Sequence, residues 1–279
     1  MITSSSNNRI KALVQLNQKA KARKEQDVFL VEGIKMFLEA PLDRIRDVYV
    51  SESFFVKQEN REFDSANVVM ENRAPLLSCM EKLQALNYEI VSDDVFEKIS
   101  DTKTPQGILC VVQQYHYKLE ELIDKKDALL VILEDLQDPG NMGTIMRTGE
   151  GAGISGIILS KDCVDIYNPK TIRATMGSVY RVPFIYVEEL ADVLKLLKDK
   201  QIKTFAAHLD GKEYYDNMNF KESTAFLIGN EGNGLKEQTA KAADSYIKIP
   251  MEGKVESLNA AVAASLLIYE ASRQRRIKQ

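Results

Sequence analysis

The chain has 279 residues, of which 44% are hydrophobic, enough to bury a sizeable core, and its length fits two domains better than one or three. Its three cysteines, Cys79, Cys110 and Cys163, share none of the paired spacings that mark zinc sites or disulfide frameworks, so they read as buried thiols and no metal is expected. A formal net charge of −4 argues mildly against a nucleic-acid partner. No apolar run approaches the length that crosses a bilayer, and a soluble, cytoplasmic protein is expected.

The charge is unevenly spread. Residues 1–24 hold no acidic side chain but carry Arg9, Lys11, Lys19, Lys21, Arg23 and Lys24, and the chain closes on Arg273, Arg275, Arg276 and Lys278. Salt confines each charge to about 10 Å, so a local basic surface can hold RNA on an otherwise acidic protein. Arg9, Lys11, Lys21, Arg23 and Lys24 are therefore candidate RNA contacts. Solvated helix ends and a frayed tail explain either cluster equally well when it is taken alone.

Residues 7–24 read as one polar, basic helix with Ile10, Leu13, Val14 and Leu16 along one side. A buried strand over 28–31, a helix over 34–38 and strands over 47–50 and 68–70 follow. Helical patterns over 76–86 and 94–100 precede a strand over 107–113. These make residues 1–113 a small alternating α/β unit. Between 114 and 127 the apolar content falls and charges crowd together, which predicts a linker. From 128 to 279, apolar runs at 128–133, 156–160, 184–187, 202–207, 224–228 and 246–249 alternate with helical patterns. That alternation predicts a mainly parallel sheet with helices on both faces.

Such a sheet binds ligands beyond the carboxyl ends of its strands, so the loops after the apolar runs matter most. The first reads Gln137-Asp138-Pro139-Gly140-Asn141, a turn into a helix that Asn141 can cap and that carries Arg147. An arginine fork near helix N–H groups suits a phosphate or ribose phosphate, and an ordinary capped helix with a surface arginine is the plain alternative. The second, Gly229-Asn230-Glu231-Gly232-Asn233-Gly234, crowds three glycines behind a strand, where the main chain can approach a ligand closely. Glu231 in its midst either accepts hydrogen bonds from a ligand or pins the loop. The third runs from Ile249-Pro250-Met251 to Ser257-Leu258-Asn259, and both Ser257 and Asn259 suit a helix start. The small-residue helix over 260–265 packs either internally or against another subunit.

Gly151-Ala152-Gly153-Ile154-Ser155-Gly156 satisfies a dinucleotide-binding pattern, but it follows a helix and leads into a strand, the reverse of what that motif needs. It reads as a helix stop. Walker A and nucleophile-elbow sequences are missing, and His116 and His208 lie outside the three loops, so histidine or zinc catalysis is not expected.

Taken together, the three loops resemble the three motifs of the SpoU, or TrmH-like, branch of the SPOUT methyltransferases. Asn168-Pro169-Lys170 and Arg173-Ala174 with Gly177 resemble the segment between those motifs, while Phe29 to Gly33 and Pro105-Gln106-Gly107 resemble a preceding substrate-binding domain. The resemblance implies a trefoil-knotted C-terminal α/β domain with a mainly parallel sheet, after a small ribosomal-protein-like α/β domain. It further implies an S-adenosylmethionine-dependent RNA 2'-O-ribose methyltransferase, working as a homodimer on ribosomal or transfer RNA. The donor would rest largely on main chain near Gly229, Asn230, Ile249, Met251 and Leu258. The functional set carried over is Asn141, Arg147, Glu231, Ser257 and Asn259.

A ribose hydroxyl is a poor nucleophile, so such a site must align it with the donated methyl and help remove its proton. The family's proposed base falls on Arg147, yet arginine stays protonated at accessible pH, so gripping phosphate and ribose is its firmer role. Two other readings stand beside this one: a Rossmann-type nucleotide-dependent enzyme, and a non-catalytic RNA-binding or ribosome-assembly factor that retains the fold.

Overall fold

A computed structural model of the chain describes residues 1–63 and 74–277. The strand expected over 68–70 and the basic Lys278 lie outside the described residues. The chain forms two compact units, Met1–Tyr115 with Tyr167–Tyr180, and His116–Ile166 with Arg181–Gln279.

In the first unit, α1 (Asn8–Gln18) and α2 (Ala20–Gln26) lead into β1 (Val28–Glu32), α3 (Ile34–Glu39), β2 (Ile45–Ser51) and α4 (Glu52–Phe63). Then come α5 (Ala74–Gln84), β3 (Tyr88–Val91), α6 (Asp93–Ile99) and β4 (Ile108–Gln113). The sheet order is β1-β4-β2-β3, with β4 antiparallel to both neighbours and β2 parallel to β3. Sequence periodicity missed α4 and β3. β3 is four residues with only Val91 fully buried, too short and too mixed for a clear alternation.

The single basic helix expected over 7–24 is two helices. Lys19 between them is extended (φ −122°, ψ 116°), and the break leaves the last carbonyls of α1 without intrahelical donors. Arg23 supplies donors instead: it is 3% exposed, and its Nη1 donates to Leu16 O (2.6 Å) and Asn17 O (3.2 Å). Arg23 is therefore a buried bracket and not the RNA contact expected of it. The apolar side of α1, Ile10, Leu13 and Leu16, packs into a core with Leu30, Tyr49 and Phe96.

The second unit begins where a linker was expected. Residues Leu119–Ile123 form α7, which buries Leu122 and Ile123 in the core. Its elements continue with β5 (Leu129–Leu133), α8 (Pro139–Ala152), β6 (Gly156–Ser160), β7 (Phe184–Val187), α10 (Leu190–Asp199) and β8 (Lys203–Ala207). They finish with β9 (Glu213–Tyr214), β10 (Thr224–Ile228), α11 (Glu237–Ala242), β11 (Ser245–Lys248) and α12 (Ala260–Arg276). Between β6 and β7 in sequence, α9 (Pro169–Thr175) packs on β1 of the first unit, to which its segment belongs.

The sheet order is β7-β6-β5-β10-β8-β11-β9, with every pairing parallel, as the alternating pattern predicts. β5, β6 and β10 are buried at every residue, which explains their unbroken apolar runs. The glycine-rich 151–156 stretch is indeed a helix stop: Gly153 takes the left-handed conformation (φ 77°) after α8, and β6 starts at Gly156.

Candidate active site at the strand ends

β5 and β10 are neighbours in register, Leu133 beside Ile228, so the first and second loops leave the sheet side by side. Asp138, not Asn141, caps α8: its carboxylate accepts from Asn141 N (2.7 Å), and Pro139 follows in the first turn. The Asp-Pro pair was a readable start signal, because proline suits a first turn in which a missing N–H costs nothing. The consequence is functional. Relieved of capping, the Asn141 side chain points into the site, where Nδ2 donates to Glu231 Oε1 (3.0 Å) and Oδ1 accepts from Asn259 Nδ2 (2.9 Å).

Glu231 also accepts from Gln137 N (3.1 Å) and Asp138 N (2.9 Å). Asn259 caps α12, its Oδ1 accepting from Ala261 N (2.9 Å) and Val262 N (3.3 Å). One hydrogen-bonded relay, Asn259–Asn141–Glu231, thus joins all three loops. Partial burial alone would raise the Glu231 carboxyl, but the hydrogen bonds from Asn141, Asp138 and Gln137 outweigh it and hold its pKa below the ordinary value. Glu231 is accordingly an ionised tie whose oxygens are already engaged.

The second loop closes on itself through Asn230 N to Gly234 O (3.0 Å) and Gly234 N to Asn230 O (2.9 Å). A Cβ on Gly229 would fall 2.1 Å from the Gly234 carbonyl carbon, so only glycine fits there. The side chain of Asn230, a residue expected beside the donor, builds the loop. Its Nδ2 holds Asp135 O (2.8 Å), and its Oδ1 accepts from Gly232 N (2.9 Å) and Asn233 N (3.1 Å).

The main-chain polar groups of Gly229, Ile249 and Leu258 have no hydrogen-bond partner among the described residues, and all three residues are half-buried. Met251 is half-buried as well. Unpaired N–H and C=O groups beside apolar side chains fit a flat, nitrogen-rich ring such as the adenine of S-adenosylmethionine. Ser257 and Arg147 are exposed and stand outside the relay. Arg147 makes no hydrogen bond or ion pair to a described residue, so its guanidinium is free for a ligand.

α12 packs on α8, β5 and β10. Its small residues Ala260, Ala261, Ala264 and Ala271 are buried within the chain, which answers the question that its sequence left open. The opposite side exposes Val262 (47%), Leu266 (37%) and Tyr269 (47%), which line a groove of about 560 Å³ together with Thr144 of α8. The closing basic cluster is largely engaged. Arg275 donates to the carbonyls of Phe220 (2.9 Å), Asp127 (2.6 Å) and Glu222 (2.6 Å), and Arg273 pairs with Glu270 (2.7 Å).

Known proteins share this fold. The sequence pattern of the SpoU rRNA Methylase family matches residues 128–269, and that of the MRM3-like substrate binding domain matches residues 7–110. The chain belongs to the SpoU rRNA methylase family. A relative from Bacillus subtilis, the 23S rRNA (guanosine(2553)-2'-O)-methyltransferase RlmP, is 30% identical, covering 96% of this chain and 97% of its own.

Among solved structures, the SpoU methyltransferase AviRb from Streptomyces viridochromogenes, in complex with AdoMet, superposes with a TM-score of 0.81 at 25% identity, over 97% of this chain and 98% of its own. The AdoMet-bound rRNA methyltransferase from Sinorhizobium meliloti gives 0.78 at 28% identity, over 98% of this chain and 97% of its own. This SpoU-family chain is thus an RNA methyltransferase whose methyl donor is S-adenosylmethionine.

Proposed function

We propose that this SpoU-family enzyme methylates a ribose 2'-hydroxyl of ribosomal RNA, as a homodimer whose C-terminal half is a trefoil knot. The observation that carries the reading is the intact relay from Asn259 through Asn141 to Glu231, which fixes the three loops while leaving Arg147 unengaged by any described residue. The relative RlmP, named for a 2'-O-methylation of 23S rRNA, and the substrate-binding domain at 7–110 support the choice of RNA.

When bound, the donor supplies an electrophilic methyl group on a sulfonium. The chain's own task is to hold the ribose in line with it. Glu231, ionised and saturated by three donors, is a poor proton acceptor and acts as the tie that sets the loops. Arg147, permanently charged, grips the target phosphate and ribose, and the hydroxyl proton passes to phosphate or water. Ser257 and Asn259 frame the third loop beside them.

The dimer reading rests on the exposed apolar stripe of α12, Val262, Leu266 and Tyr269, which a second copy would cover. The knot reading rests on the family and on the return of the chain at Asn259 to the start of α8. The test is to map 2'-O-methylated positions in cellular RNA with and without the protein, and then to repeat transfer with purified protein. A position lost and restored is expected. RNA binding with no methyl transfer to any ribose would replace the reading with a non-catalytic assembly factor.

A further inference from the structure

A cavity of about 420 Å³ opens beyond the carboxyl ends of β5, β6 and β10, next to the relay but not part of it. That volume is within the usual range for small-ligand sites, and most of the residues that line it are polar. Its floor is Asp135, held at φ 54°, a left-handed conformation that costs an aspartate about 1 kcal/mol or more. Five bonds hold it there, one of them from Ser160 Oγ to its Oδ1 (2.8 Å). Its N donates to Ser160 Oγ (2.8 Å), its carboxylate pairs with Lys236 Nζ (2.7 Å), and its carbonyl accepts from Asn230 Nδ2 (2.8 Å) and Gln137 Nε2 (3.1 Å). Gln137 links the cavity to the relay, because its N–H is one of the donors to Glu231.

Three groups on the wall are not spent on the fold. The Asp162 carboxylate and the Asn233 amide make no hydrogen bond or ion pair to a described residue, and the Lys236 ammonium uses one of its three donors on Asp135. Two carboxylates against one ammonium repel phosphate, so the cavity does not suit the RNA backbone. It suits a base edge that offers donors. Among the four RNA bases only guanine presents two adjacent donors, N1–H and N2–H, to a carboxylate. In adenine and cytosine the exocyclic amine lies beside a ring nitrogen acceptor, and the single N–H of uracil lies between two carbonyls, so a carboxylate is repelled in each case.

We propose that this cavity holds the guanine of the methylated nucleotide, with Asp162 accepting from N1–H and N2–H and Lys236 donating to O6. The proposal rests on the 2'-O-methyltransferase reading for the place of the ribose, but recognition of the base is measurable without catalysis. An unstacked base read on its Watson–Crick edge is a common way to recognise RNA, and the pinned Asp135 floor keeps the reading groups in place beforehand.

The test uses the full chain in two arms. In the first, guanosine, inosine, adenosine and cytidine are titrated separately while the side-chain amide resonances of Asn233 and Gln137 are followed. Guanosine should shift both and bind at least about tenfold more tightly than inosine, whose missing N2 amine leaves the Asp162 carboxylate one charge-assisted hydrogen bond short. Asp162→Asn should abolish that discrimination while leaving thermal stability unchanged, since only the main-chain carbonyl of Asp162 serves the fold, accepting from Gln137 Nε2 (2.7 Å).

In the second arm, RNA with inosine at the mapped position is compared with the guanosine form in single-turnover methylation. The inosine RNA should react at least about tenfold more slowly on the parent enzyme and equally on Asp162→Asn. Equal shifts for all four nucleosides, a pyrimidine at the mapped position, or guanosine preference that survives Asp162→Asn would overturn the proposal. If no RNA is methylated but guanosine binds as described, the pocket stands and the functional reading falls.

Discussion

The basic stretch at residues 9–24 and the three-loop site at the strand ends contain the same kinds of side chain, but the fold treats them differently. In the first, Arg23 is enclosed and bonded to the carbonyls that the helix break exposes, and Arg9 is paired with Glu89 at 2.6 Å. In the second, the carboxylate and amides are tied to one another while Arg147 holds none of the described residues. A charge in sequence therefore says little about binding until its hydrogen bonds are counted. At the helix break the exposed carbonyls recruit Arg23, whereas in the three-loop site the carboxylate of Glu231 is satisfied by amides and Arg147 stays available to a ligand.

The largest effect should come from Gly229, because the closed second loop leaves no room for a side chain. Gly229→Ala places a methyl group 2.1 Å from the main chain of Gly234, a clash that only reopening of the loop relieves. Calorimetry should show donor affinity reduced by at least about a hundredfold, the scale on which a preorganised site fails when displaced by an ångström. The rest of the fold, whose core strands lie below the loop, should keep most of its melting temperature. Parent-like donor affinity would show that the loop is not part of the donor site.

Arg147→Ala should leave donor affinity within a few-fold of the parent while methyl transfer falls by about a hundredfold or more, the loss usual for a charged positioning group. Arg147→Lys should recover little, because a point charge on a flexible stem does not reproduce the planar fork. Single-turnover rates on one RNA, alongside donor titrations, separate the two effects. Near-normal transfer by the alanine variant would reduce Arg147 to a surface residue.

Much of the second unit was legible because its strands are buried on both faces, so β5, β6 and β10 stand out as apolar runs and the loops after them carry the glycines and amides. The relay itself was not legible as a relay. Asn141 read as a cap because asparagine favours that place; the Asp138-Pro139 pair marks the true helix start, but nothing local reveals that the freed Asn141 reaches Asn259, which is 118 residues away. The first unit was harder. Its helix break at Lys19 carries neither glycine nor proline, and the residues expected as a linker include the buried Leu122 and Ile123. Both features are decided by tertiary packing, which local composition does not report.

Arg23→Ala tests the structural half of the contrast. Losing two hydrogen bonds to main-chain carbonyls, each about 1 kcal/mol and more with a charged donor, together with the buried stem, should cost about 2–4 kcal/mol of stability. Denaturant melts would read that loss. At a temperature where the variant stays folded, RNA affinity and its salt dependence should match the parent.

The smallest effect, and the one that completes the contrast, belongs to Lys11 and Lys24. Both are exposed, and neither forms an ion pair with a described residue, whereas Arg9 pairs with Glu89 and Arg23 is buried on main-chain carbonyls. Of the RNA contacts expected from the sequence in α1 and α2, these two lysines are the ones left available to phosphate. A phosphate contact acts through counterion release, so each alanine substitution should weaken RNA binding only a few-fold near physiological salt and lower the slope of log affinity against log salt by about one. Stability should stay within about 0.5 kcal/mol of the parent, because an exposed lysine without a partner contributes little to folding. Filter binding of one RNA across a salt series, for each variant and for Arg23→Ala, gives the comparison directly. An unchanged slope for both lysine variants would mean that the basic stretch at residues 9–24 is a solvated face, and that RNA is held elsewhere on the chain.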